Sequence, residues 1–244
     1  MTTQTLLNLA KVPLLLVSAY QFGRCFTPPQ GFPPTPKISW QWSKSTAAQK
    51  REWFILSWIR WAVRIQKTVL WTTSLLDCLS IISTIYPELG ELQHQLPHPL
   101  QLTPRPTSTT LLAIQTTLLI ISILGGTLRL ASFGALGAQF TFNISPSATS
   151  KLVTTGPYSI VRHPSYLGVF MLNSGLILYH LFLRWAWGWM GIVVMGFWAS
   201  LLSISISTTM WRSQDEDEML KRKFGKEWEA WRKVVRWRVI PGVY

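Results

Sequence analysis

Apolar residues run together in five stretches separated by polar, Pro-rich or basic segments: 6–22, 68–86, 109–131, 166–182 and 185–207. A helix needs about 20 mostly apolar residues to cross the hydrocarbon core, and each stretch meets or approaches that length. The pattern predicts an all-α integral membrane protein with about five transmembrane helices. Before the second stretch, residues 53–67 are rich in Trp, and Arg60, Arg64 and Lys67 recur at helical spacing on one face. That predicts an interfacial helix whose long basic side chains reach the headgroups. The Pro-rich segments 28–36 and 87–106 cannot be helical throughout and read as irregular connections. Only Leu183 and Arg184 separate the last two stretches, which forces a tight antiparallel hairpin. There is no internal repeat. The chain divides into an N-terminal membrane region, 1–108, and a core, 109–244.

Of 244 residues, 48% are hydrophobic and only 14% charged, a balance too apolar for a soluble domain of this size. A net charge of +13 would suit nucleic acid, but the basic residues alternate with long apolar spans, which favours anionic lipid headgroups instead. The first stretch lacks a preceding basic region and a clean cleavage site, so it reads as a membrane helix, not a removable signal. Lys and Arg also set the orientation. The connection after the first span carries Arg24, Lys37, Lys44, Lys50, Arg51, Arg60, Arg64 and Lys67, whereas the one after the second carries Arg105 alone. The first connection is therefore expected in the cytosol. Lys151 and Arg162 after the third span, and nine basic residues after Trp211, return to the same side. The tail from 211 to 235 places acids early and bases late, as a helix dipole favours, and is predicted to continue the fifth span as an amphipathic helix. Cys25 and Cys78 form no CxxC, and His94, His98, His163 and His180 are too scattered for a metal site. Neither a metal nor a nucleic-acid partner is expected.

Two segments carry candidate chemistry. In LVTTGPYSIVRHPSYLG, residues 152–168, Gly156 and Pro157 signal a turn, Arg162 and His163 are donors beside Pro164, and Tyr166 opens a span. Polar groups this close to a span mark a site, or else a headgroup anchor with an interfacial tyrosine belt. In the second segment Arg212 and Glu216 stand at i and i+4 and face one side of a helix, with Asp217 beside them. Taken alone, a solvated ion-pair face is the stronger account of that pattern, since i,i+4 ion pairs are common surface features.

Together the two segments resemble the isoprenylcysteine carboxyl methyltransferases, within the group of membrane methyltransferases that includes phospholipid N-methyltransferases. LVTTGPYSIVRHPSYLG resembles the family signature almost position for position. RSQDEDEMLKRKFGKEWEAW resembles its Arg, paired-acid, Phe-Gly and Glu-aromatic tail, and LRLASFGALGAQFT at 128–141 the segment leading into the site. The resemblance covers about the last 120 residues. It implies an S-adenosyl-L-methionine pocket lined by Lys151, Leu152, Val153, Tyr158, His163, Pro164, Ser165, Tyr166 and Glu216, with Ser150 at its edge and the C-terminal helix covering it. It implies that Arg212 faces the acceptor carboxylate, with Arg162 as a second catalytic support. The implied partner is a prenylated protein C-terminus or another lipid-like acceptor, and the implied location the endoplasmic reticulum membrane with the site facing the cytosol. Asp217 stands where glutamate is usual, and Trp228 and Trp231 where tyrosines are common; the N-terminal half gives no comparable match. Phospholipid N-methylation is one alternative. An NADPH-dependent sterol reductase is another, since Arg-His-Pro and the ending RWRVIPGVY are similar to that class. A non-catalytic membrane scaffold is the third.

Overall fold

The computed structural model describes residues 3–27, 47–83, 108–140, 151–184 and 188–243, with isolated positions between 85 and 95. The Pro-rich segment 28–36, nearly all of 87–106, and Ser150 lie outside the described residues. Among the described residues the chain forms the helices α1 (Thr3–Cys25), α2 (Ala47–Ser83), α3 (Thr109–Leu136), α4 (Pro164–Arg184), α5 (Gly188–Phe224) and α6 (Lys226–Val234). Short 3-10 turns cover Gly137–Gln139 and Gly156–Ser159. No strand occurs among the described residues. Among the described residues, two helical stretches, Gln4–Cys25 and Thr109–Gln139, are by length and composition long and apolar enough to cross a membrane.

Local chemistry explains several boundaries. Ser108 caps α3 by accepting a hydrogen bond from the Leu111 amide at 3.2 Å, which satisfies one of the first-turn donors. Gly137 ends α3 at a φ of +54°, a conformation that costs glycine little. Pro164 opens α4, where its missing amide N–H is no loss and its fixed φ suits the first turn.

Two expectations are corrected. The interfacial helix and the second span are one unbroken helix, α2, because hydropathy changes near residue 67 while nothing there breaks helical geometry. At 37 residues, α2 and α5 are each about 55 Å long, well beyond the roughly 30 Å of a bilayer's hydrocarbon core. The predicted tail helix from 211 to 235 is likewise divided. Its first part continues α5, and Gly225, at a φ of +51°, turns the chain before α6.

Asn173 Nδ2 donates to Ser205 Oγ at 2.9 Å, and the His180 ring stacks on Trp198 at 6.0 Å, so α4 and α5 run in opposite senses. Residues 185–187, placed at the start of the fifth span by hydropathy, lie outside the described residues, and α5 opens at Gly188.

Small residues bring α3 and α4 together. A Cβ on Gly175 would lie 2.5 Å from the Leu118 carbonyl oxygen, and one on Gly168 would lie 2.7 Å from that of Gly125. Backbones this close gain dispersion contacts, the main driving force for helix association in lipid. On the other side of α3, α1 is joined by polar links: Lys11 Nζ donates to Gln115 Oε1 at 2.8 Å, and Gln21 Nε2 to Thr127 Oγ1 at 3.0 Å. Leu15, Phe22, Leu70, Leu119, Leu172 and Trp198 fill the common core.

Because both nearest obstacles to a Cβ at Gly175 are backbone atoms, Gly175→Ala is expected to cost about 1–3 kcal/mol through overpacking. Gly134→Ala, where nothing lies within 4 Å, should instead be neutral or gain up to about 1 kcal/mol of helix propensity. Melting curves in detergent check the contrast.

Candidate active site

The two segments singled out in the sequence meet. His163, at the entrance to α4, places Nε2 3.0 Å from Asp217 Oδ1 and Nδ1 3.4 Å from Glu216 Oε2. One imidazole thus spans adjacent acids on α5. Both sides of that contact are fixed locally: the His163 carbonyl accepts the Tyr166 amide at 3.0 Å, and Asp217 is held from two further directions by arginines.

The acids differ in surroundings. Asp217 is buried, whereas the Glu216 side chain is 34% exposed, so it retains a face open to a ligand. The Tyr166 hydroxyl accepts from Arg212 and donates to Glu216, linking the i and i+4 pair through one phenol. The Tyr166 ring stacks against His163 with centroids 5.6 Å apart. Arg212, Tyr166, Glu216 and His163 are therefore one connected group.

Burial alone would lower the His163 pKa, but hydrogen bonds to Asp217 and Glu216 outweigh it and raise the pKa to about 8. Burial alone would raise that of Asp217; the hydrogen bond from His163, with its charge and that of Arg162, brings it down to about 2. Glu216 also falls below its ordinary value: burial opposes, while the His163 hydrogen bond and charge, Arg212 and Tyr166 prevail. The Tyr158 phenol is raised by burial and by the charge of Glu216. At neutral pH the site holds two carboxylates against a largely protonated imidazole.

Arg162 points away from this open face. Its guanidinium donates to the carbonyls of Val235 at 2.9 Å and Arg236 at 2.7 Å, and to Asp217 Oδ2 at 3.2 Å. Tyr158 packs with Trp228, Trp231 and Val235, against which Leu152 and Val153 also lie. Gly156, at a φ of +62°, makes the turn that brings Tyr158 inward. Ser165 accepts from Arg129 Nη1 through both its hydroxyl, at 3.0 Å, and its carbonyl, at 3.3 Å. The Lys151 amide donates to Gln139 Oε1 at 2.5 Å, while its side chain is exposed. Pro164 is buried at the α4 entrance. Ser150 lies outside the described residues.

Sequence reasoning passed over Arg129 and Arg238 and gave Asp217 no role of its own. Arg129, buried in α3, also donates from Nε to the Cys25 carbonyl at 2.9 Å and so joins α1 to the site. An arginine within an apolar span was the signal available for it.

Residues 118–220, which carry His163, Tyr166, Arg212, Glu216 and Asp217, match the profile of the isoprenylcysteine carboxyl methyltransferase family. That segment belongs to the isoprenylcysteine carboxyl methyltransferase family. A protein-S-isoprenylcysteine O-methyltransferase of Dictyostelium discoideum is 30% identical over 51% of this chain and 48% of its own length. Delta(14)-sterol reductases of Gibberella zeae and Neurospora crassa are 31% and 29% identical, over 41% and 39% of this chain but only 25% and 24% of theirs. The chain thus spans less than half the length of these relatives. No solved structure matches it. The family and the two apolar helices together indicate a membrane protein.

His163 has a folded-state pKa above its unfolded value, so its contribution to stability is full below about pH 6.5 and is lost as pH rises through about 8. Asp217 is the opposite case: its contribution is present above about pH 4 and disappears as pH falls through about 2. The melting temperature in detergent is accordingly expected to fall between pH 6.5 and 8.5. That slope should flatten in His163→Gln, and an unchanged slope would contradict the assignment.

Proposed function

We propose that the protein is an S-adenosyl-L-methionine-dependent methyltransferase acting on a lipid-like acceptor, with the C-terminal carboxylate of a prenylated cysteine as the preferred substrate. The observation that carries this reading is the linked group Arg212–Tyr166–Glu216–His163, in which an acid with an open face stands one helical turn from a guanidinium. The donor set fits the cofactor. Glu216, ionised and a third exposed, can accept from an amino group or ribose hydroxyls. Tyr158 and Tyr166 offer aromatic surface for adenine or a sulfonium, and Leu152 and Val153 supply apolar wall. Lys151, Pro164, Ser165 and Ser150 complete the proposed lining.

When bound, the cofactor supplies an electrophilic methyl group. The residues then have little proton chemistry to perform, since an acceptor carboxyl with an ordinary pKa of about 4 or below is already ionised. Their task is alignment and exclusion of water. Arg212 orients the acceptor carboxylate by a two-point contact that lysine would not reproduce. Tyr166 holds Arg212 in register with Glu216. Arg162, committed to Asp217 and to the carbonyls of the tail, supports the site from behind.

Five crossings, with the site facing the cytosol of the endoplasmic reticulum, put the cofactor's aqueous supply and the lipid tail on the correct sides. The N-terminal region 1–108 shapes the lipid entrance in this reading, and 109–244 forms the core. Phospholipid N-methylation uses the same cofactor but needs a proton removed from the amine and has less use for Arg212. The sterol reductase matches favour a second reading, NADPH-dependent reduction of a sterol double bond.

A methyl-acceptor assay in nanodiscs against farnesyl- and geranylgeranyl-cysteine analogues, phosphatidylethanolamine and a sterol is expected to label the prenylcysteines. Glu216→Ala should weaken S-adenosyl-L-methionine binding about 10–100-fold, the worth of a charged hydrogen bond. Arg212→Ala should lower kcat more than cofactor affinity. Indifference to both substitutions would point to a scaffold, and no transfer to either prenylcysteine with cofactor binding intact would sink the acceptor assignment.

A further inference from the structure

The family match ends at residue 220, yet the site continues into the tail. The Arg162 amide donates to the Trp237 carbonyl at 3.0 Å and the His163 amide to that of Arg238 at 2.8 Å, so residues 237 and 238 lie along the histidine segment. The Arg162 guanidinium fastens the two preceding carbonyls. Arg238 then turns inward, and its Nε donates to Asp217 Oδ2 at 2.9 Å. Asp217 is thus divided by function: Oδ2 takes Arg162 and Arg238, while Oδ1 faces His163 Nε2 at 3.0 Å.

A carboxylate is planar, so two donors converging on one oxygen from different elements fix the plane and hence the direction of the other oxygen. We infer that segment 235–238 is a strap over the site, and that Arg238 is a positioning residue which acts through Asp217 to aim the His163 ring at Glu216. Arg162 alone, tied to two carbonyls, anchors only one side of the carboxylate.

Positioning and simple charge predict opposite outcomes. The groups around His163 are Arg162 on its own segment, Tyr158 on the 3-10 turn, Tyr166 on α4, Arg129 on α3, Arg212, Glu216 and Asp217 on α5, and Arg238 on the tail. If Arg238 acted only as a cation, its removal would make the imidazolium easier to form and raise the histidine midpoint. If it holds Asp217 on the ring, its removal frees the carboxylate to turn toward Arg162, and the midpoint falls.

The test is the His163 ring titration, followed by NMR on histidine-labelled protein in detergent and assigned with His163→Gln. Arg238→Gln is expected to lower the midpoint from about 8 toward the ordinary 6.5, and Arg238→Lys, with the charge but without the planar fork, to lower it by less. A midpoint that rises or stays fixed in Arg238→Gln overturns the inference; so does an unchanged one in Arg238→Lys, which remains informative if the glutamine variant does not fold. This measurement needs no ligand. A second arm rests on the proposed function: Arg238→Gln should weaken S-adenosyl-L-methionine binding with a pH dependence displaced in step with the ring. Absence of binding by the wild-type protein would remove the cofactor reading and leave the titration result standing.

Discussion

The contact between His163 and the two acids of α5 is what makes separate membrane helices into a site. The histidine lies where the chain enters α4, and the acids lie more than fifty positions later, beyond the apolar part of α5. An imidazole between two carboxylates has both ring nitrogens engaged, so its plane cannot turn without losing a partner. Burial adds weight to the constraint, because a charge removed from water is tolerated only when paired. Tyr166, Arg162 and the tail take their places from this bridge.

The rest of the fold supplies stiffness to it. Glycines at 125, 168 and 175 let α3 and α4 approach at backbone distance, which sets the height at which α4 begins and so the height of His163. Arg129 connects the end of α1 to Ser165 across the same interface. The antiparallel pairing of α4 with α5 carries Arg212, Glu216 and Asp217 back to that level. A rigid frame of this kind suits chemistry that depends on alignment more than on proton transfer.

Much of this was legible in the sequence, for identifiable reasons. Long apolar stretches announce helices by length alone, and the Arg-His-Pro turn and the acid pair are compact signals whose types survive inspection without coordinates. What the sequence concealed were relations with no local signature. Arg238 is one of nine basic residues after Trp211, and nothing in its neighbours distinguishes a half-buried clasp from a solvated charge. The continuity of α2 was hidden because hydropathy, which marks where a helix leaves the bilayer, does not mark where it ends. Gly225 was visible, but its left-handed turn is what separates α5 from α6, and a lone glycine in a charged helical run does not announce its φ. The different roles of Glu216 and Asp217 also depend on burial, since adjacent acids look alike until one is enclosed.

The central claim is that the bridge encloses a binding site for S-adenosyl-L-methionine. Isothermal titration of the purified protein with S-adenosyl-L-methionine, and separately with NADPH, tests it most directly. The account predicts saturable binding of the first, lost on replacing Glu216, and none of the second. Binding of NADPH alone would contradict it and assign the same residues to a reductase.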